Sequence, residues 1–375
     1  MSLILKSDKV ATKSLGNING LMDQDFVLFL DFENEHYFKK SNGFVTEITL
    51  AEAVSYSKDN SNLQKTMLKD GSIVNQSLTA PRFWKIADAS RFGLLVEENQ
   101  PNYFINPFAP VTQNITLPAG TKNVTVQCKG TGSVTVSGPD ISTVIVNENS
   151  PATIQPQGGT WTQLTITVSG TLEYVGCFRT SGINGVKSQL GANPGIEKPK
   201  INANLMSLLA GAGELTVVLQ HMPIKRLPDA RNVSEARIHV RTATYEIELG
   251  INESANAASV GPRINAVKLS DVSTVVTGGA YTGYTYKDSK NVMSQVFNIN
   301  NTKVRNAVNG SPLTTVNHSV IDLINTIQEL HLGGRQVSSG GALQGIGGNC
   351  IYTKVAVFKK SFTDAELISL SKSWL

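Results

Sequence analysis

Glu246 and Glu248 stand two apart in the run Tyr245-Glu-Ile-Glu-Leu-Gly-Ile-Asn-Glu253. On a strand, that spacing puts both carboxylates on one face. Retaining hydrolysis of a glycosidic bond needs two carboxyl groups about 5–5.5 Å apart, and this run is the one candidate pair for it. Glu253 follows Gly250 and is expected in a turn. No tryptophan stands nearby as a sugar platform, since the three are Trp84, Trp161 and Trp374. The pair therefore reads as part of a polar strand face and not as catalytic machinery. Asp31, Glu33 and Glu35 repeat the period of two after an apolar run. They are expected on one face of a strand as a solvated edge, because clustered carboxylates without a partner repel one another.

Other reactive residue types lack the spacing their chemistry requires. His36, His221, His239, His318 and His331 are scattered, with no paired zinc spacing. No Gly-x-Ser-x-Gly elbow accompanies them. Cys128, Cys177 and Cys350 form no CxxC, and read as buried thiols, although Cys128 and Cys177 could meet across one small domain. No acidic cluster supplies the several oxygens a Ca²⁺ ion takes, so no cofactor or metal is expected. Sugar binding has better candidates. Tyr281, Tyr284 and Tyr286 lie in a glycine-rich loop, and Asn349 ends a second one. Tyrosine rings can stack on a sugar while their hydroxyls hydrogen-bond.

The elements that must position these residues are strands. The charged fraction is 17% and the hydrophobic fraction 40% of 375 residues. The charged share is low against about 25% for an average soluble protein. Glycine, serine, threonine, asparagine and valine fill the difference, which favours pleated sheet and turns. The net charge of +4 comes without any dense basic run, which argues against a nucleic-acid groove. The first residues are too short an apolar stretch for a signal peptide, and no run approaches a membrane span. The chain thus reads as made in a cytoplasm.

Residues 1–24 read as a polar arm and 25–110 as an aromatic-rich β region. Residues 111–180 alternate clearly, with Val124, Val126, Cys128, Val134, Val136, Leu164, Ile166 and Val168 at period two; they predict a small β-sandwich. Residues 181–204 read as a linker and 205–375 as a second β domain. A short helix from 50 to 56 is weakly patterned. At the end, Thr363 and Glu366 form a capping box, after which Leu367, Leu370 and Trp374 share one helical face.

Three stretches resemble known proteins. Pro81-Arg-Phe83, Gly93-Leu-Leu-Val-Glu97 and Asn102-Tyr-Phe104 are similar to a segment of phage tail and head-fibre proteins, although Glu98 to Pro101 stands where those carry an arginine. Gly130-Thr-Gly-Ser-Val-Thr-Val-Ser-Gly138 and Leu164-Thr-Ile-Thr-Val-Ser-Gly-Thr-Leu172 resemble a threonine-rich module of the same proteins. From 205 onward, the Asn309-Gly310 turn, Leu330-His-Leu-Gly-Gly334, the strand at 351–358 and Thr363-Asp-Ala-Glu-Leu367 resemble a laminin-G-like or concanavalin A-like jelly roll.

The resemblance implies a mainly β protein: an N-terminal anchoring region, a small sandwich and a C-terminal jelly roll closed by a short helix. It implies a non-enzymatic structural component of a phage virion, as fibre, collar, tail or capsid decoration, displaying a lectin-like jelly roll. Phe83, Trp84, Phe92, Tyr103 and Phe104 read as aromatic anchors that either fill a core or pack against another subunit; in a virion they would serve assembly with other virion proteins, and a homo-oligomer is expected. The alternatives are a carbohydrate-binding host-recognition adhesin, meeting host surface polysaccharide, and a glycoside hydrolase.

Overall fold

The computed structural model describes residues 26–372 except 58–63, 78, 86–90, 97–101, 122–123, 140, 156–160, 179–198, 224–232, 254–258, 272, 280–283, 286–291, 321, 325, 334–335, 338–342 and 345–349. The first strands are β1 (Phe26–Asp31), β2 (His36–Ser41), β3 (Phe44–Ile48), β4 (Val54–Ser55), β5 (Gln64–Met67), β6 (Ile73–Gln76), β7 (Phe83–Lys85) and β8 (Phe92–Val96). One helical turn, α1 (Leu50–Ala53), precedes β4. Thr49 caps it: its hydroxyl accepts from the Glu52 amide, and the Glu52 carboxylate accepts from the Thr49 amide. The helix expected to reach 56 stops after this turn, because Val54 and Ser55 pair as a strand with residues 200–201.

The middle of the chain folds as β9 (Gln113–Thr121), β10 (Val124–Gly130), β11 (Ser133–Ser137), β12 (Val144–Asn147), β13 (Ala152–Ile154), β14 (Trp161–Ser169) and β15 (Leu172–Phe178). These form a sheet of order β12-β11-β14-β9 and another of order β13-β10-β15. The alternating apolar residues meet between them: Val124, Val126, Val134, Val136, Leu164 and Ile166 share one buried core. Cys128 and Cys177 lie in that core as free thiols. Burial pushes Cys128 up to about 11 and Cys177 up to about 12, so neither is a ready thiolate.

The remaining strands are β16 (Lys200–Ile201), β17 (Glu214–Pro223), β18 (Val233–Thr242), β19 (Tyr245–Glu253), β20 (Ser259–Lys268), β21 (Thr274–Gly279), β22 (Tyr284–Thr285), β23 (Met293–Asn300), β24 (Lys303–Val308), β25 (Thr314–Asn317), β26 (Ile327–Leu332), β27 (Gln336–Val337), β28 (Leu343–Gln344) and β29 (Cys350–Phe358). A ten-stranded sheet runs β25-β24-β23-β17-β29-β1-β2-β3, with β8 also on β29 and β7 on β8. An eight-stranded sheet runs β21-β20-β19-β18-β26-β16-β4, with β22 on β20. One core joins the two: Leu30, Val217 and Phe297 from the first meet Val240, Leu249 and Leu330 from the second. This mainly β, stacked antiparallel architecture with a short terminal helix bears out the fold class read from the sequence.

The helix α2 (Asp364–Lys372) covers the outer face of the ten-stranded sheet, where Leu367 and Leu370 pack on Phe26, Val218, Val296 and Phe358. The Thr363–Glu366 capping box forms as expected. With both faces covered, β23 and β29 are buried at nearly every position.

Chain order and strand order differ in one decisive respect. β1 lies between β2 and β29, with Leu30 opposite Val355 and Tyr37. The aromatic region expected to stand apart at 25–110 therefore supplies strands to the same sheet as the last strand of the chain, and 205–375 is not the whole of the large sandwich. The small sandwich is spliced in between β8 and β16.

Candidate functional site

The outer face of the eight-stranded sheet carries the charged residues. In β18, Ile238 and Val240 point into the core, so His239 and Arg241 point out. In β19, Ile247 and Leu249 point in, so Glu246 and Glu248 point out. The same alternation turns Glu329 and His331 of β26, Lys200 of β16 and Asn265 of β20 outward, since Leu330, Ile201 and Ile264 are core residues.

Register assembles these side chains into two rows across the strands. One runs Lys200, His331, His239, Glu248, Asn265. The next runs Glu329, Arg241, Glu246, Val267. Lys200 Nζ lies 3.0 Å from Glu329 Oε1, and His331 Nε2 lies 2.9 Å from Glu329 Oε2. His239 Nε2 lies 3.6 Å from Glu246 Oε2, and the His239 and His331 rings meet edge-on at 5.4 Å. His239, Glu246, Glu248 and His331 are buried, while Lys200, Arg241 and Asn265 keep partial access to solvent. The His331 imidazole and the Lys200 ammonium, both bonded to Glu329, hold its carboxyl well below the usual carboxylate range.

Glu329 is not poised as a general acid. A general acid needs a carboxyl whose pKa is raised; Glu329 is displaced the other way. Glu246 and Glu248 share the strand face that their spacing indicated. Glu253, expected in a turn, instead continues β19 opposite Val233 and Val260. Among the described residues, no group of three or more His, Cys, Asp and Glu is placed to hold a metal ion, and no helix is long and apolar enough to cross a membrane.

Of the sugar-binding candidates, Tyr281, Tyr286 and Asn349 lie outside the described residues. Tyr284 opens β22, opposite Val260 of β20. That places its backbone in the same sheet as the polar rows, five positions along β20 from Asn265, or about 16 Å.

Two further expectations give way. Asp31 ends β1, but Glu33 and Glu35 belong to the turn that follows, where Glu35 has φ 61°. The Asp31 carboxylate accepts from the backbone and side-chain amides of Asn34, both at 2.9 Å, which bends the chain before a carboxylate row can form. Glu35 instead meets Lys69 at 2.6 Å. The anchoring aromatics are spent inside the chain. Phe83 and Phe92 stack at 5.3 Å within the main core. Tyr103 and Phe104 fill the small sandwich. Trp84 is half-buried between Leu95, Met222 and Ile351 on one side and Tyr174 and Phe178 on the other. Phe83, Phe92, Tyr103 and Phe104 are thus buried within the chain, while Trp84 keeps partial exposure.

Lys200, His239, Arg241, Asn265 and Glu329 were not legible as a site in the sequence. The available signal was the alternation Arg237-Ile-His-Val-Arg241 beside Glu246-Ile-Glu-Leu249, two charged strand faces close in the chain.

No family model matches this chain, and no curated protein matches it. Partial overlaps with solved structures exist. The CBM40 of the Ruminococcus gnavus IT-sialidase, bound to alpha2,3 sialyllactose, is 13% identical, with 44% of this chain and 86% of that one covered at a TM-score of 0.32. The binding domain of Botulinum neurotoxin DC, in complex with rat synaptotagmin II, is 14% identical, with 49% and 42% covered at 0.32. The Caenorhabditis elegans galectin LEC-6 is 13% identical, with 40% and 85% covered at 0.26.

Proposed function

We propose that this chain is a non-enzymatic contact protein whose eight-stranded sheet holds a glycan against its outer face, and that it serves as a structural component of a phage virion. The observation that carries the first half is the pair of cross-strand rows. Sugar hydroxyls both donate and accept. Among the residues of the face that keep access to solvent, Lys200 and Arg241 supply donors, Glu329 supplies acceptors, and Asn265 supplies both. Strand spacing sets the rows' neighbours about 4.8 Å apart, and the sheet fixes them before any ligand arrives, which reduces the ordering cost of binding. The virion setting is supported by the sequence resemblance of residues 81–104, 130–138 and 164–172. Its rival, a host-recognition adhesin outside any particle, shares the same sugar face.

A glycan array with the purified chain tests the binding half. Specific glycans should be retained, and Arg241→Ala and Lys200→Ala should each weaken retention about tenfold or more, the effect of deleting a charged hydrogen-bond partner. Retained glycan should be recovered uncut. Absence of retention at millimolar glycan refutes the sugar face, and shortened product refutes the non-enzymatic reading. Mass spectrometry of purified particles separates virion component from free adhesin.

A further inference from the structure

β3 ends the ten-stranded sheet, and among the described residues β2 is its one neighbour. Phe44 is 76% exposed and Val45 43%, while Thr46 and Glu47 are also exposed. Natural edge strands are usually blunted by proline, lysine or a bulge. Phe44-Val-Thr-Glu-Ile48 has no proline or lysine, Glu47 is its one charge, and its register with β2 is unbroken over five residues.

The turn fixes which backbone groups face outward. Asn42 and Gly43, at φ 51° and 81°, make the two-residue connection between Ser41 and Phe44. Such a turn closes on a pair that exchanges both hydrogen bonds. Alternation then makes Lys39–Thr46 and Tyr37–Ile48 the other bonded pairs. Val45 and Glu47 are left with N–H and C=O directed off the sheet.

We propose that a second copy of this chain docks along β3, antiparallel, with a two-fold axis through Thr46. In this register Val45 faces Glu47 of the partner subunit, and symmetry repeats the pair. Both residues direct their free groups at the seam, so each pair exchanges two backbone hydrogen bonds. Registers that place Phe44 or Thr46 in bonded pairs meet groups already engaged with β2. Charge agrees with the same register: Glu47, whose Oε1 lies 3.0 Å from His36 Nδ1 of its own chain, has a second carboxylate oxygen to offer across the seam. Lys40 lies directly across β2–β3 from Val45, so the order across the seam is Lys40, Val45, then Glu47 of the partner subunit, all on one face. Lys40 and that carboxylate are about 10 Å apart at the backbone, within reach of two long side chains passing over Val45. Phe44 falls beside Ile48 of the partner subunit, which covers the exposed ring. The strand is thus complementary to itself, which favours a second copy over an unrelated peptide.

Sedimentation of the full chain between about 1 and 100 µM, with three variants, tests the interface. The wild-type chain should dimerise. Val45→Pro removes an N–H that the hairpin does not use and should give a monomer with an unchanged circular-dichroism spectrum. Thr46→Cys should form a disulfide-linked dimer in air, because the two-fold sets residue 46 opposite itself in a non-bonded pair about 4.5 Å apart at Cα. The native Cys128, Cys177 and Cys350 are buried and give no competing cross-link. Glu47→Lys should weaken the dimer at least tenfold, and adding Lys40→Glu should restore it. A wild-type chain that stays monomeric at the highest concentration overturns the proposal. So does a dimer that Glu47→Lys leaves intact and Thr46→Cys does not cross-link.

Discussion

His221 sits at the end of β17 inside the large sandwich, with Nε2 3.3 Å from Gln295 Oε1 and its ring 6.3 Å from that of Tyr352. Burial, and then the nearby Arg237 guanidinium, push it down to about 3 from an ordinary 6.5. Between those values the unfolded chain binds a proton that the folded chain refuses, so stability rises with pH across the window. The contribution is complete above pH 6.5 and falls by up to about one kcal/mol or slightly more per pH unit on acidification. Glu329 acts in a separate range: its depressed carboxyl contributes stability above about 4.5 that is lost as pH falls toward its folded value. Burial also pushes His318 down, so thermal unfolding from pH 6.5 to 5 reads His221 through the difference between wild type and variant. The wild-type midpoint should drop through that range and the slope should flatten in His221→Gln. Equal slopes in the two proteins would exclude the buried imidazole as the source.

Gly93 explains, at the scale of the element, why β8 can join β29 at all. It lies where the two strands approach, and a Cβ there would fall on the Tyr352 carbonyl oxygen and the Ile351 side chain. The carbonyl belongs to a strand held along its other edge by β17 and, further along the edge that β8 joins, by β1, and it cannot retreat. Gly93→Ala should destabilise the chain by about 1–3 kcal/mol, as overpacking does, and lower the midpoint of urea unfolding; an unchanged midpoint would mean that β8 can shift along β29. The same glycine opens the Gly93-Leu-Leu-Val-Glu97 motif, so one letter of that resemblance has a packing cause. β19 shows the opposite relation between text and element. Its spacing put Glu246 and Glu248 on one face, but their neighbours His239, Asn265 and Val267 come from β18 and β20, and nothing in the local run names them.

For the whole molecule, the interleaving of β1 with β29 forbids a detachable N-terminal half. Leu28, Leu30 and Phe32 belong to the main core, and β1 separates β2 from β29. A chain lacking residues 1–110 should fail to fold, showing no cooperative thermal transition, because it exposes the β29 edge and deletes part of the core. A truncated chain that melts cooperatively like the full one would show that the 205–375 region stands by itself. The inserted sandwich follows other rules. Its core, from Val124 to Cys177, closes almost entirely within residues 103–177.

Alternation, turn residues and the capping box at Thr363 were enough to establish from the sequence a mainly β chain, the alternating strands of the small sandwich and the terminal helix, because each depends on interactions within a few residues or between adjacent strands. Three matters belonged to tertiary structure: β1 beside β29, the aromatics of 83–104 turned into cores, and Lys200, His239, Arg241 and Glu329 brought onto one sheet face with Glu246. Each depends on pairing between strands far apart in the chain. Side-chain period tells a strand which face to bury, but it carries no information about which strand will lie next to it.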